Sequence, residues 1–208
     1  MIPIETVALC FAASVALALA PGPDNIFVLT QSALHGRKAG LLVTIGLCTG
    51  LLVHKAAVSL GVAAIFQTST IAFNILKSVG AMYLLVLAWR AFRAGAAKLD
   101  ETGDVSMGWR KLYSRGVIMN ITNPKVAIFC LAFLPQVADA SKGLITIQML
   151  MFGGLFIVAT LFIFGAIAWT AGVLGEWLNG SEKAQIIMNR VAGMVFTGLA
   201  LRLAVSER

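Results

Sequence analysis

The chain has 208 residues, of which 59% are hydrophobic and 12% charged, with a mean hydropathy of +0.91. Soluble domains carry roughly 25% charged residues, so this composition excludes a soluble fold and indicates an all-α integral membrane protein without room for a soluble domain. The net charge of +7 does not mark a nucleic-acid binder, because most of its positive residues flank apolar runs and set orientation there.

Six apolar segments follow one another, at about 5–33, 39–66, 70–92, 115–135, 144–174 and 187–205. The first resembles a secretory leader at Val7 to Ala20, but Met1-Ile2-Pro3-Ile4-Glu5 has no basic start. Apolar sequence also resumes after Asn25, so the segment is read as a retained span. Its centre reads Pro21-Gly22-Pro23-Asp24-Asn25. Lipid tolerates irregular backbone and a carboxylate only where they face protein or water. A carboxylate at mid-bilayer costs at least ~2.5–3.5 kcal/mol on insertion scales, so Asp24 reads as a group that handles substrate or protons. Asp24 could also simply cap the helix that resumes at Ile26.

The second segment carries Gly46, Gly50 and His54 at four-residue spacing on one helix face. The glycines suit close helix packing. His54, followed by Lys55 near the span centre, could shuttle protons or be satisfied by a neighbouring hydroxyl. In the third segment Lys77 can snorkel to the interface, and Tyr83 can offer a hydroxyl to a polar ligand. A polar loop then covers 94–114, with Lys98, Asp100, Glu101, Asp104, Arg110 and Lys111. The fourth segment places Asn120, Asn123, Pro124 and Lys125 in its middle. Pro124 frees a carbonyl one turn earlier, which an asparagine could satisfy. Lys125 is expected to pair with Asp24 or to hold an anionic substrate group. The fifth segment is expected to tilt or to end before Gly172. Trp89, Trp109, Trp169 and Trp177 stand near span ends as interfacial anchors.

Arg37, Lys38, Arg90, Arg93, Lys98, Arg110, Lys111, Arg115, Lys183 and Arg190 flank loops one, three and five, against Lys142, Arg202 and Arg208 on the other side. This bias puts those loops in the cytoplasm of a bacterial plasma-membrane protein and both termini outside. The single membrane domain then divides into two inverted three-helix repeats, 1–93 and 115–208, joined by the 94–114 loop. Each repeat opens with a proline-interrupted helix, the sequence pattern of a transport site between inverted repeats. Within the spans Asp24 stands against Lys55, Lys77 and Lys125, a balance that suits a carboxylate-bearing solute and above all a small zwitterion. Cys10, Cys48 and Cys130 show neither metal-ligand spacing nor a disulfide framework. No metal, cofactor or enzymatic chemistry is indicated.

The Pro21-Gly22-Pro23-Asp24-Asn25 motif, Gly36 to Leu41, Gly46, Gly50 and His54 resemble the amino-half signature of the LysE/RhtB family of amino-acid exporters. Lys77 to Leu85, Arg115-Gly116 and Asn123-Pro124-Lys125 through Leu134-Pro135-Gln136 extend the likeness over spans one to four. Spans five and six agree in hydropathy and length. The resemblance looks closest to the threonine/homoserine branch. It implies export of small neutral amino acids or derivatives from the cytoplasm by proton antiport, with Pro21, Gly22, Pro23, Asp24, Asn123, Pro124 and Lys125 lining the central site. The implied partners are the amino acid, protons and the bilayer, with a homodimer allowed and no nucleic acid. Three alternatives stay open at this point. They are export of a metal cation by the same fold, a thiol–disulfide relay through Cys10 and Cys130, and a non-transporting membrane scaffold.

Overall fold

The computed structural model describes residues 2–20, 22–68, 70–94 and 108–205. Pro21, most of the polar loop with Lys98, Asp100, Glu101 and Asp104, and Arg208 lie outside these residues, as do the side chains of Trp177 and Arg202. Every regular element among them is helical.

Helix α1 (Ile4–Leu19) starts after Pro3, whose fixed φ suits a helix entry, and stops where Ala20 turns to φ −58°, ψ 125°. Ala20 precedes a proline in sequence, and such a residue is sterically driven out of the helical region. Helix α2 (Pro23–His35) begins with Pro23 in its first turn, where a missing N–H costs nothing, and closes at Gly36 with φ 82°. A φ of that sign disfavours any side chain. Helices α3 (Arg37–Thr68) and α4 (Thr70–Arg93) complete the amino half. Helix α5 (Trp109–Thr122) ends at Asn123, extended at φ −76°, ψ 107° ahead of Pro124. Helix α6 (Pro124–Ile128) continues through a π-helical turn, Phe129–Phe133, and a 3-10 turn, Leu134–Val137. A second 3-10 turn, Ala140–Lys142, is capped by Asp139. There the Ser141 hydroxyl, the Lys142 ammonium and the Ser141 backbone N–H hold the exposed carboxylate down at about 2. Helices α7 (Ile145–Gly180) and α8 (Glu182–Val205) finish the chain.

Both proline motifs break their spans as expected. The axes of α1 and α2 differ by 62°, and those of α5 and the α6 segment by 51°. Arg37–Ser59 and Ile145–Ala171 are each long and apolar enough to cross a membrane, and each bent pair adds one more crossing if it is one span. Two expected boundaries move. The fourth helix starts at Trp109 rather than 115, because Arg110, Lys111 and Arg115 can lie along its exposed face. Helix α7 does not end before Gly172 but runs 36 residues, about 54 Å, well beyond a hydrocarbon core of about 30 Å.

The helix α3 packs on α2, α5 and α7, α4 lies on α8, and α1 contacts α7 and α8. Glycines set the closest approach. A Cβ on Gly46 would strike the Tyr113 carbonyl, one on Gly116 would lie 2.5 Å from the Val43 carbonyl, and one on Gly50 would lie 2.7 Å from the Asn120 Cβ. The packing role expected of Gly46 and Gly50 is therefore the observed one, and it presses Asn120 of α5 against α3. An apolar cluster around Phe129, Phe152, Phe156 and Phe196 occupies one part of the interior, and a smaller one around Val28, Leu47 and Phe164 another. Phe129 stacks on Phe133 at 4.8 Å and meets Phe156 edge-on at 5.1 Å. The anchoring tryptophans pair with cations: Arg37 lies over Trp169, Arg93 over Trp89 and Arg110 over Trp109.

Candidate functional site

A broken helix in lipid must find new partners for its freed carbonyls, and the first break shows where they come from. At the end of α1 the Ala16 carbonyl still receives the Ala20 N–H at 2.9 Å. The Ala18 carbonyl accepts from Asn25 Nδ2 at 2.6 Å. Those of Leu17 and Ala20 accept from Lys125 Nζ at 3.2 and 3.0 Å. One lysine from the second broken helix thus satisfies two carbonyls of the first. Its charge also suits the negative end of the α1 dipole.

The second break is repaired in kind. Pro124 cannot donate to the Asn120 carbonyl, which instead receives the Asn123 N–H at 3.1 Å and sits 3.1 Å from His54 Nε2. A carbonyl only accepts, so Nε2 carries the hydrogen. His54 is satisfied by this carbonyl rather than by a hydroxyl. Asn123 Oδ1 accepts the Lys125 backbone N–H at 3.0 Å, capping α6.

The two breaks meet through the other end of the same side chain. Asn123 Nδ2 donates to Asp24 Oδ2 at 2.8 Å. Asp24 and Lys125 are not joined by a direct ion pair, as the sequence reading expected. Asn123 bridges to the carboxylate while the ammonium turns to the α1 carbonyls. Asp24, Asn120, Asn123 and Lys125 are all buried, between 2% and 8% exposed. Asp24 Oδ1 and Asn120 Oδ1 have no protein partner. Both residues line a cavity of about 10 Å³, with Lys125 and Thr160 beside them and Phe156 and Phe164 from the two apolar clusters closing it. That volume suits a single water.

A second cavity of about 300 Å³ opens where Gly22, Pro23, Asn123, Pro124 and Lys125 face Tyr83 and Arg90 of α4 and Asn189 of α8. Lys125 lines both cavities. Gly22 allows this close approach, because a Cβ there would lie 3.1 Å from Lys125 Nζ.

The fold thus brings Gly22, Pro23, Asp24, Asn25, Asn120, Asn123, Pro124 and Lys125 to one junction, sets Tyr83 on the larger cavity and puts His54 behind Asn120. Pro21 lies outside the described residues. Lys55 and Lys77 line neither cavity; the Lys55 stem packs against Gly153 of α7, and Lys77 is half-buried on α4. Cys10 and Cys130 are buried in the larger apolar cluster. Arg90, Thr160 and Asn189 are lining residues that sequence reasoning missed. Arg90 had been assigned only to orientation, and a single Thr or Asn in an apolar run carries no signal of direction.

Comparison with known proteins gives one consistent answer. The family model "LysE type translocator" matches residues 15–207. The "Homoserine/homoserine lactone efflux protein" of Salmonella typhi is 31% identical over 191 residues, covering 92% of each chain. The protein of the same name from Salmonella typhimurium strain LT2 matches to the same extent. No solved structure matches the chain. The buried charges at paired helix breaks, the apolar helices and the family match agree: the chain belongs to the LysE-type translocators, a family of multi-pass membrane transport proteins.

Proposed function

We propose that the chain is a secondary transporter that exports small neutral amino acids or derivatives, threonine- or homoserine-like, from the cytoplasm by proton antiport. In this reading it sits in a bacterial plasma membrane with both termini outside. Residues 1–93 and 115–208 form two inverted three-helix repeats around the junction of the breaks. The pairing of like elements supports the repeat: α3 packs on α7, α4 on α8, and α5 on α3 as α1 on α7.

One observation carries the proposal. A buried carboxylate, Asp24, is held by an asparagine of the opposite broken helix through one oxygen, while its other oxygen has no protein partner. Such a group is costly when ionised and alone, and is stabilised either by a proton or by an ammonium. Alternation between those two partners is proton–substrate exchange. Protonated Asp24 keeps its bond from Asn123 through Oδ2 and releases the amino acid; ionised Asp24 draws the ammonium of the next one toward the junction. Freed carbonyls at the end of α1 and the first turn of α2 supply the fixed partial charges that broken helices bring to such sites.

The test is transport by the purified chain in proteoliposomes loaded with threonine or homoserine. An imposed pH gradient is expected to drive efflux, and Asp24→Asn to abolish it while leaving the helical content intact. Undiminished, still proton-coupled movement by Asp24→Asn would sink the mechanism.

A further inference from the structure

We infer that the larger cavity selects its solute by a free carboxylate, so that the chain handles amino acids and discriminates against their lactones, esters and amides. The inference rests on the export reading above and narrows it to one substrate chemistry.

The argument starts from the charges that face the cavity of about 300 Å³. Arg90 and Lys125 line it, and no Asp or Glu does; Asp24 lines the smaller cavity on the far side of Asn123. Lys125 has three N–H donors, and two are committed to the Leu17 and Ala20 carbonyls. One donor remains. Arg90 sits in the last turn of α4, exposed at the edge of the cavity and two helical turns from Tyr83 on the same wall. Its planar guanidinium offers a fork of donors that a carboxylate fills with two parallel bonds.

A zwitterion brings its carboxylate to this pair of cations. Its ammonium is left to neutral acceptors, the Tyr83 hydroxyl and the side-chain oxygens of Asn123 or Asn189 among them. A lactone or amide of the same amino acid keeps the ammonium and loses the anion. It enters as a net cation among two cations, with nothing for the guanidinium fork to hold. The curated relatives carry a name that joins homoserine with its lactone. The cavity of this chain separates the two.

The experiment is competition against counterflow of labelled homoserine by the full chain in proteoliposomes. Homoserine, its lactone and its amide are compared as competitors at about pH 6, where α-ammonium groups stay protonated. The lactone and amide are expected to need at least about tenfold higher concentrations than the free acid, the effect of losing one charge-assisted contact. Arg90→Gln is expected to shrink that ratio severalfold, with partial recovery in Arg90→Lys, which restores charge without the fork. Equal competition by acid and lactone would overturn the inference while the counterflow itself upheld export. A ratio unchanged in Arg90→Gln would overturn it as well. Absence of any amino-acid counterflow would overturn the export reading, and this inference with it.

Discussion

Asn123 serves both broken helices with one side chain. Its oxygen caps α6 through the Lys125 N–H, and its amide nitrogen holds Asp24 of α2. Asn123→Ala removes the cap, worth about 1 kcal/mol, and strands a buried carboxylate, worth about 1–3 kcal/mol more. The melting temperature of the detergent-solubilised chain is therefore expected to fall clearly. Asn123→Asp, which keeps an acceptor for the cap but sets a second carboxylate against Asp24, is expected to melt lower still at neutral pH. A melting temperature in Asn123→Ala equal to that of the native chain would show that the bridge contributes nothing. At this scale the sequence reveals whatever is expensive. Asp24 and Lys125 stand out because a charge in an apolar run has a known cost. The partners that relieve the cost are hidden. Asn25 reaching the Ala18 carbonyl, and His54 reaching that of Asn120, depend on where the bend points the chain. Arg90 is hidden differently, since a cation at a helix end is ordinary in every membrane protein.

Helices α3 and α5 meet backbone to backbone. The contact is fixed by Gly46, Gly50 and Gly116, whose absent side chains leave room for Tyr113, Val43 and Asn120. Tyr113 adds a hydrogen bond to Thr49 at 3.1 Å along the same seam. Gly50→Val would push a branched side chain into the Asn120 Cβ and the Val117 carbonyl, neither of which is the loose end of a flexible group. Overpacking of this kind costs about 1–3 kcal/mol. It would also shift Asn120, and with it the wall of the small cavity. Gly50→Val is accordingly expected to lower both the melting temperature and the transport rate, whereas Gly61→Val, with open space around Gly61, should leave both unchanged. Proline positions make the two breaks legible, because both physical consequences of proline, a lost donor and a restricted preceding residue, act locally. Helix ends away from proline are less so. Trp109 to Ser114 read as loop from their charges, and the stretch past Gly172 carries no breaker strong enough to stop a helix that packing sustains.

Across the whole molecule, pairing of α3 with α7 and α4 with α8 is the relation that inverted halves would give. Apolar segments and loop charges suggest such halves before any coordinate is known, but side-by-side residue identity between them is too weak to fix the pairing. Orientation is a separate property, and labelling measures it. With Cys10, Cys48 and Cys130 replaced by serine, a cysteine at Ser141 is expected to react with an impermeant maleimide in intact cells. One at Ser106, in the 94–114 loop, is expected to react only after permeabilisation. The reverse pattern would invert the export direction proposed here.

The π-helical turn at Phe129–Phe133 has its own consequence for this architecture. Its hydrogen bonds reach one residue further than α-helical ones, so the turn stores a residue that an ordinary helix would not need. Closing it to α-helical form would drop that residue without breaking the backbone ladder and would rotate everything beyond it by about 100°. The chain therefore holds a built-in tolerance for deletion a few residues beyond Lys125, with Leu131, 40% exposed, as the residue that could be lost at least cost to packing. Lineages descended from such a sequence could re-aim the Leu134-Pro135-Gln136 turn by a single codon loss, while the junction at Asn123 stayed where it is.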